Sequence, residues 1–498
     1  MLDFSIYLLY RAVTAMASLL PVRVLFALGS FLGFVAWFLL PPYRRLARRN
    51  LEIAFGNEKS SRELRRIARR NFQWLSANLF CNLKMVSMPP AELAKFVDTE
   101  NLEAIHQELR AGRPVVLLLS HIGNWELLAQ LVPHYASYAR VGTVYQKLRN
   151  RYIDQHVSRT RAHTGAELFD RGEGFHKPIE LLRSGGLIGV LGDQHAGDHG
   201  VWTPFFGRLA STSPLAALLA KRTGAAVIAA AVHTEGPARW RIVFTGRIDS
   251  PGDSVNSITA SGNRTIEEQI RRAPEDGFWV HNRWKTPKPH FLLTNYKRGI
   301  YVPPAAPALK PFRVLIRASN WLGDSVISMP AVRAIKAGRP DTHITVAAPE
   351  KIASVWKLVP EVDEVISLTS HSLFRAVGLI RRQTPFDVAI LFPNSLRVAL
   401  EAWLGGVPRR VGYQGHHRRR LLNQIIPSRS RLGPVDHQVE HYLQIAREVG
   451  GSAEPPEVRV SWPRVESNGA PAKLGLCPGA EYGPAKRWLP ERFAEVAA

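Results

Sequence analysis

The chain has 498 residues, 46% of them hydrophobic and 21% charged, and a formal net charge of +24. That length exceeds what one hydrophobic core usually serves, so two to four folded units are expected, and the composition excludes a disordered or collagen-like chain. Two cysteines, Cys81 and Cys477, exclude a disulfide framework or a cysteine-built metal site, and the positive excess calls for an anionic partner: nucleic acid, an acidic membrane, a phosphorylated substrate or an acidic protein.

Residues 22–40, VRVLFALGSFLGFVAWFLL, are apolar except for Arg23. At about 20 residues such a segment is long enough to cross a bilayer. Pro41-Pro42-Tyr43 follows, then Arg44, Arg45, Arg48 and Arg49. With no small-residue cleavage pattern this is not a removed signal peptide, and the basic flank sets the next unit on the cytoplasmic side. A second basic group, Arg62, Arg65, Arg66, Arg69 and Arg70, has helical spacing. A solvated helix face and a contact with anionic headgroups carry equal weight for it. Nucleic acid is the weaker reading, because no recognition signature accompanies the charge.

Helical patterns over 61–86 and 91–109 precede strands expected at 115–119, 187–191, 225–232 and 240–245, an α/β layout. Residues 302–311, VPPAAPALKP, read as a semi-rigid linker. Beyond it come a strand at 313–317, a helix from Asp324, a strand at 343–347, a helix at 350–359 and a strand at 388–392. This is a second, Rossmann-like α/β unit, and without a GxGxxG fingerprint dinucleotide binding is unsupported.

In SHIGNWELL, residues 120–128, His121 stands where a strand gives way to a helix, with Asn124 as the expected N-cap and Glu126 five positions on. A carboxylate beside an imidazole fixes its tautomer and stabilises the imidazolium formed when it takes a proton. A histidine satisfied by a backbone group is the commoner alternative. The strand at 187–191 ends in Asp193-Gln194-His195, so two strand ends bring polar groups toward one mouth. Read locally, Asp193 is equally a loop cap, Arg171 equally a surface charge, Asp324 more often a helix-capping carboxylate, and Asn394 and Ser395 equally turn residues. Phe205, Phe206 and Gly207 read as a packed corner; Trp279, His281, Arg283, Trp284 and Lys285 read as interfacial or packed. His195 and His199 lack the partners of a metal site, and no metal is called for.

Together "HIGNWEL", "GVLGDQHAG", "TPFFGRLASTSPLAALLAKRTGAAVI" and "PEDGFWVHNRWKTPKP" resemble the late lipid A acyltransferases of the lysophospholipid acyltransferase superfamily, up to about residue 290. The resemblance implies that His121 and Glu126 form a catalytic dyad, with Arg171 and Asp193 beside it or the acceptor. It implies transfer from an acyl-acyl carrier protein to a hydroxyl of a lipid A precursor, without a cofactor. The implied partners are acyl carrier protein and anionic membrane lipid, with no nucleic acid, and the implied place is the cytoplasmic face of the bacterial inner membrane.

Residues 313–498, through "IRASNWLGDSVISMPAVRAIK", "LFPNSLRVALEAWLGGVPRRVGY", "HQVEHYL" and "LGLCPGAEYGPAKRWLPERFAEVA", resemble the heptosyltransferase II branch of glycosyltransferase family 9. That implies a GT-B architecture using ADP-heptose, with Asp324 as general base, Lys486 at the donor phosphates, and Asn394 and Ser395 in the acceptor cleft. The expected division is a membrane anchor at 1–43, an acyltransferase α/β domain at 44–300, a Pro-rich linker at 301–312 and a Rossmann-like acceptor domain at 313–470. Residues 471–498 are expected to begin a donor-binding domain left incomplete at Ala498. The alternatives are an acyltransferase for another glycolipid or glycerolipid, and an inactive module that binds lipid or carrier protein.

Overall fold

The computed structural model describes residues 2–162, 165–294, 296–383, 385–427, 437–452, 475–479 and 487–497. Four helices open the chain: α1 (Leu2–Ser18), α2 (Val22–Leu39), α3 (Pro41–Phe55) and α4 (Ser61–Met85). Ser60 and Glu63 cap α4 reciprocally, each side chain accepting the other's backbone N–H. Among the described residues, α2 is the one helix long and apolar enough to cross a membrane. It is nevertheless no detached anchor. Leu25, Phe26, Gly29, Gly33 and Trp37 are buried, and a Cβ on Gly33 would meet Phe72 O of α4 at 2.2 Å, so only glycine permits the approach. The segment expected as a separate anchor at 1–43 is thus built into the first unit, exposing Phe31, Phe38 and Leu39 along its other side.

The basic flank divides in the same way. Arg45 and Arg48 are exposed, whereas Arg44 donates to Trp37 O (3.2 Å) and Arg49 to Asp387 (2.7 Å). All five arginines of the second cluster are exposed on α4, opposite buried Leu64, Ile67 and Ala68.

The strands of the first unit are β1 (Val97–Glu100), β2 (Val115–Leu119), β3 (Val141–Tyr145), β4 (Ala166–Asp170), β5 (Leu187–Leu191), β6 (Val201–Phe205), β7 (Arg208–Thr212), β8 (Ala226–Gly236) and β9 (Arg239–Arg247). Seven form one sheet in the order β1-β9-β8-β2-β5-β3-β4, parallel except for the antiparallel β8–β9 pair, while β6 and β7 form a separate hairpin. Alternate residues feed two cores: Val116, Leu118, Ile188 and Val190 one, Val115, Leu117, Leu187 and Ile228 the other. Helix α5 (Pro90–Leu93) precedes β1, and α6 (Glu103–Arg110), α7 (Glu126–Tyr135) and α8 (Arg151–Ala162) lie among these strands in sequence. Two short helices and β1 replace the single helix expected at 91–109, because β1 gains a parallel partner in distant β9 that no local pattern announces.

The second unit contains β10 (Phe312–Arg317), β11 (Thr342–Pro349), β12 (Glu364–Leu368), β13 (Val388–Leu391), β14 (Arg409–Tyr413) and β15 (Gln424–Ile426). They form an all-parallel sheet in the order β12-β11-β10-β13-β14-β15, the 3-2-1-4-5-6 arrangement of a doubly wound Rossmann sheet. The boundary expected at residue 300 moves upstream, because Phe291 and Leu292 are already buried in this unit's core with Val314 and Ile316. The Pro-rich stretch is strapped down rather than loose: Lys310 donates from its backbone to Gly207 O (2.7 Å) and from Nζ to Ile53 O (2.7 Å) and Ala54 O (2.9 Å).

Candidate active site

The register of two parallel strands builds the site. Leu119 of β2 lies opposite Leu191 of β5, so two residues beyond each strand His121 and Asp193 arrive side by side. One Asp193 oxygen accepts the His121 backbone N–H (2.9 Å) and the other meets the ring Nδ1 (2.8 Å). The turn between His121 and α7 is fixed by Gly123, at φ +56, whose N–H donates to Asp276 O (3.0 Å) and whose Cβ, if present, would lie 2.2 Å from Val232 O. The imidazole stacks on Phe278 (5.1 Å, 20°) and meets the edge of Trp125 (5.0 Å). Buried amides of α3 and α4 hold the Phe278 loop: Asn50 donates to Trp279 O and His281 O, and Asn71 to Glu275 O and Gly277 O.

Asp193 therefore holds the position the sequence assigns to Glu126. Glu126 starts α7, and its carboxylate accepts two bonds from Arg161 of α8 (2.7 and 3.0 Å). It lines the same cavity as His121 and acts on the ring through charge alone. Asn124 does not cap α7: both its polar side-chain atoms are buried without a protein partner.

Burial alone would push the His121 pKa down; the charge and hydrogen bond of Asp193 outweigh it and raise the pKa above its ordinary value. Burial likewise opposes ionisation of Asp193, and His121 reverses it, leaving that carboxyl below its usual range. His195, by contrast, is pushed down to about 4 by burial, with Arg283 and Lys285 adding to the effect. With Asp193 on Nδ1, the accepting nitrogen of neutral His121 is Nε2, which has Gln194 Nε2 3.4 Å away.

His121, Glu126 and Arg171 line one cavity of about 890 Å³. Its interior lies between the sheet and α7 and is aliphatic, with Leu117, Leu187, Val132 and Pro133 among its walls. Gly189 sits between Leu117 and Thr143 in the sheet row, so the floor drops to backbone there. Arg171 is exposed at the rim. Trp279, Arg283 and Trp284 are buried, which settles them as packing residues, whereas Lys285 is exposed on the cavity wall; Phe205 and Phe206 are buried as the expected corner. The sequence reading missed Phe278, Arg161, Asn50 and Asn71. The one available signal was Phe278 inside the quoted "PEDGFWVHNRWKTPKP" motif.

A profile of the bacterial lipid A biosynthesis acyltransferase family matches residues 1–286. The chain belongs to that family. The acyltransferase unit is similar to the lipid A biosynthesis palmitoleoyltransferase of Escherichia coli (strain K12), 26% identical over 274 residues covering 54% of this chain and 87% of the relative. It is also similar to the lauroyltransferase of the same organism, 25% identical over 281 residues covering 56% and 90%. Residues 372–498 match glycosyltransferase family 9 (heptosyltransferase). Lipopolysaccharide heptosyltransferase 2 of Escherichia coli (strain K12) is 30% identical over 207 residues, covering 37% of this chain; the chain spans 59% of that relative's length. An acyltransferase-family unit is thus joined to a segment similar to glycosyltransferase family 9.

In the second unit, Asp324 is the third residue of the helix Leu322–Ala337, which follows β10, and accepts from Ser319 Oγ (3.2 Å) and Gln438 Nε2 (3.0 Å). Asn394 and Ser395 follow β13, the neighbour of β10 where the strand order reverses, so these loops flank the crevice in which open α/β sheets bind ligands. Asn394 is exposed, and Ser395 accepts the Val398 N–H (3.3 Å) as the N-cap of the helix Leu396–Leu404. Lys486 lies outside the described residues.

Proposed function

We propose that the chain moves a fatty acyl group from an acyl-acyl carrier protein thioester to a hydroxyl of a lipid A precursor, with His121 as general base. The observation that carries this reading is His121 held at Nδ1 by buried Asp193, its ring lining a cavity whose walls include Leu117, Leu187, Val132 and Pro133. The acceptor hydroxyl gives its proton to Nε2 as its oxygen attacks the thioester carbon. The carbon–sulfur bond breaks, and the imidazolium returns the proton to the departing thiolate. Asp193 stays ionised throughout and stabilises the imidazolium. The acyl tail lies along the sheet over Gly189, where six residues of strand between the levels of His121 and Leu187 give a trough of roughly 20 Å. Arg171 meets the acceptor at the rim, and Glu126 fixes Arg161 there.

The apolar sides of α1 and α2 rest on the cytoplasmic face of the bacterial inner membrane, with Arg45, Arg48 and the exposed arginines of α4 facing anionic headgroups. α2 packs on α4 through Gly33, and its exposed side, with Phe31 and Phe38, is the one that meets the bilayer. The basic surface also steers the acidic carrier protein.

The second unit is the acceptor half of a GT-B enzyme that moves heptose from ADP-heptose to the inner core of the same lipid. Asp324 is its general base, Asn394 and Ser395 border its acceptor, and Lys486 meets the donor phosphates. Joining both steps on one chain raises the effective concentration of a shared lipid. The test is incubation of the purified chain with acyl carrier protein thioesters and a Kdo-bearing lipid A precursor. One acyl group gained by the lipid, read by mass, is expected; transfer only to a glycerolipid, or none, overturns the reading.

A further inference from the structure

We propose that Arg298, on the segment that connects the two units, is an anion-binding residue of the acyl-transfer site and, with Arg171 and Lys285, takes a phosphoryl group of a substrate. This rests on the acyl-transfer reading above. The acyltransferase family match ends at residue 286, and soon afterwards the chain enters the core of the second unit at Phe291 and Leu292. It then turns back. Trp202 of the β6–β7 hairpin donates its N–H to Gly299 O (3.2 Å) and accepts the Tyr301 N–H (2.8 Å), a bridge joins Trp202 to Ile300, and Tyr296 packs edge-on against the Trp202 ring (5.5 Å). Trp202 is buried, so the returning strand is seated on a fixed element, and Arg298 in it becomes a wall of the His121 cavity.

The charge balance there calls for a ligand. Four cationic side chains line the cavity, Arg161, Arg171, Lys285 and Arg298, against one carboxylate, Glu126. Arg161 is engaged by Glu126. Among the described residues, Arg171, Lys285 and Arg298 form no ion pair, and Lys285 and Arg298 come from opposite ends of the stretch that leaves and returns to the first unit. Three cations on the wall of one cavity, with Glu126 already engaged by Arg161, favour an anionic ligand there. A phosphoryl group, with up to two charges and several acceptor oxygens, matches two guanidinium forks and an ammonium better than a single carboxylate does. It has two sources in this reaction: the phosphodiester of the arm that carries the donor thioester, and a phosphate on the acceptor sugar.

The experiment is steady-state kinetics on the full chain in detergent micelles, varying each substrate for wild type, Arg298→Ala, Arg298→Lys and Lys297→Ala, the last an exposed neighbour that does not line the cavity. Arg298→Ala is expected to raise one KM about tenfold with kcat nearly unchanged, the loss of one charge-assisted contact. Arg298→Lys should recover part of it and Lys297→Ala should match wild type. A rise for the acyl donor assigns the group to its arm; a rise for the lipid, abolished with a dephosphorylated acceptor, assigns it to the sugar. Both KM values unchanged in Arg298→Ala, or a fall in kcat alone, overturns the inference. Wild type without acyl transfer would instead sink the reaction reading; pyrophosphate binding by calorimetry then decides for Arg298, which must weaken about tenfold in Arg298→Ala or the inference falls.

Discussion

Arg49 of α3 donates to Asp387 at 2.7 Å, closing a contact between helices of the first unit and the sheet of the second. Arg208 of β7 reaches the same carboxylate oxygen at 2.7 Å, and the Arg313 N–H donates to the other at 2.9 Å. Asp387 is buried, and burial alone would neutralise it; Arg208 and Arg49 hold its pKa below the ordinary carboxylate value. A depressed carboxyl pKa stabilises the fold above the unfolded value, and that contribution is lost as pH falls through the folded one. Asp387→Asn leaves the buried Arg208 unpaired and is expected to cost about 3 kcal/mol. Thermal denaturation reads this as a lower midpoint near neutral pH, with a smaller gap from wild type in acid.

Gly189 leaves the cavity floor open between the catalytic mouth and Leu187. A Cβ there would meet Leu119 Cδ1 at 3.0 Å and Thr143 Oγ1 at 3.5 Å, both on side chains lining the cavity. Gly189→Leu therefore fills the trough. Across a saturated series from octanoyl to stearoyl thioesters, the variant should lose the longer chains and keep the shorter, with about 1–3 kcal/mol of overpacking visible in its melting curve. An unaltered length profile would show that the tail lies elsewhere.

Phe31 and Phe38 of α2 are 63% and 58% exposed on a helix whose other side is packed on α4. Inserting each ring into a bilayer surface is worth about 1.5–3 kcal/mol. Phe31→Gln with Phe38→Gln should weaken sedimentation with anionic vesicles at least tenfold while leaving the melting temperature close to wild type. Membrane binding that persists in this double variant, yet vanishes in high salt, would assign the attachment to the exposed arginines alone.

Much of this arrangement is legible in the sequence. β2 and β5 coincide with the strands read at 115–119 and 187–191, because parallel strands buried on both faces appear as unbroken apolar runs. β1, with the sequence VDTE, left no such trace; it exists through its pairing with β9. The same limit explains the partner of His121. Glu126 is five residues away along the chain, whereas Asp193 is brought in by strand register, each residue standing two places beyond a paired leucine. Both strand ends are visibly polar in the sequence, but their equal offset becomes meaningful only once β2 and β5 are neighbours. Arg298 was hidden for a similar reason, since its approach to the cavity depends on a return from the second unit.

The pH dependence of the initial acyl-transfer rate, compared for wild type, Asp193→Asn and Glu126→Gln, tests most directly whether His121 is a base held by Asp193. A base must be unprotonated, so wild-type activity should fall on the acid side at a midpoint above the ordinary histidine value, because Asp193 raises the His121 pKa. Asp193→Asn removes the charge that opposes burial, so its midpoint should move to lower pH while its plateau drops by about 10²–10⁴-fold, and Glu126→Gln should shift the midpoint less. A midpoint that stays in place in Asp193→Asn and moves in Glu126→Gln would contradict the assignment and return the partner's role to Glu126.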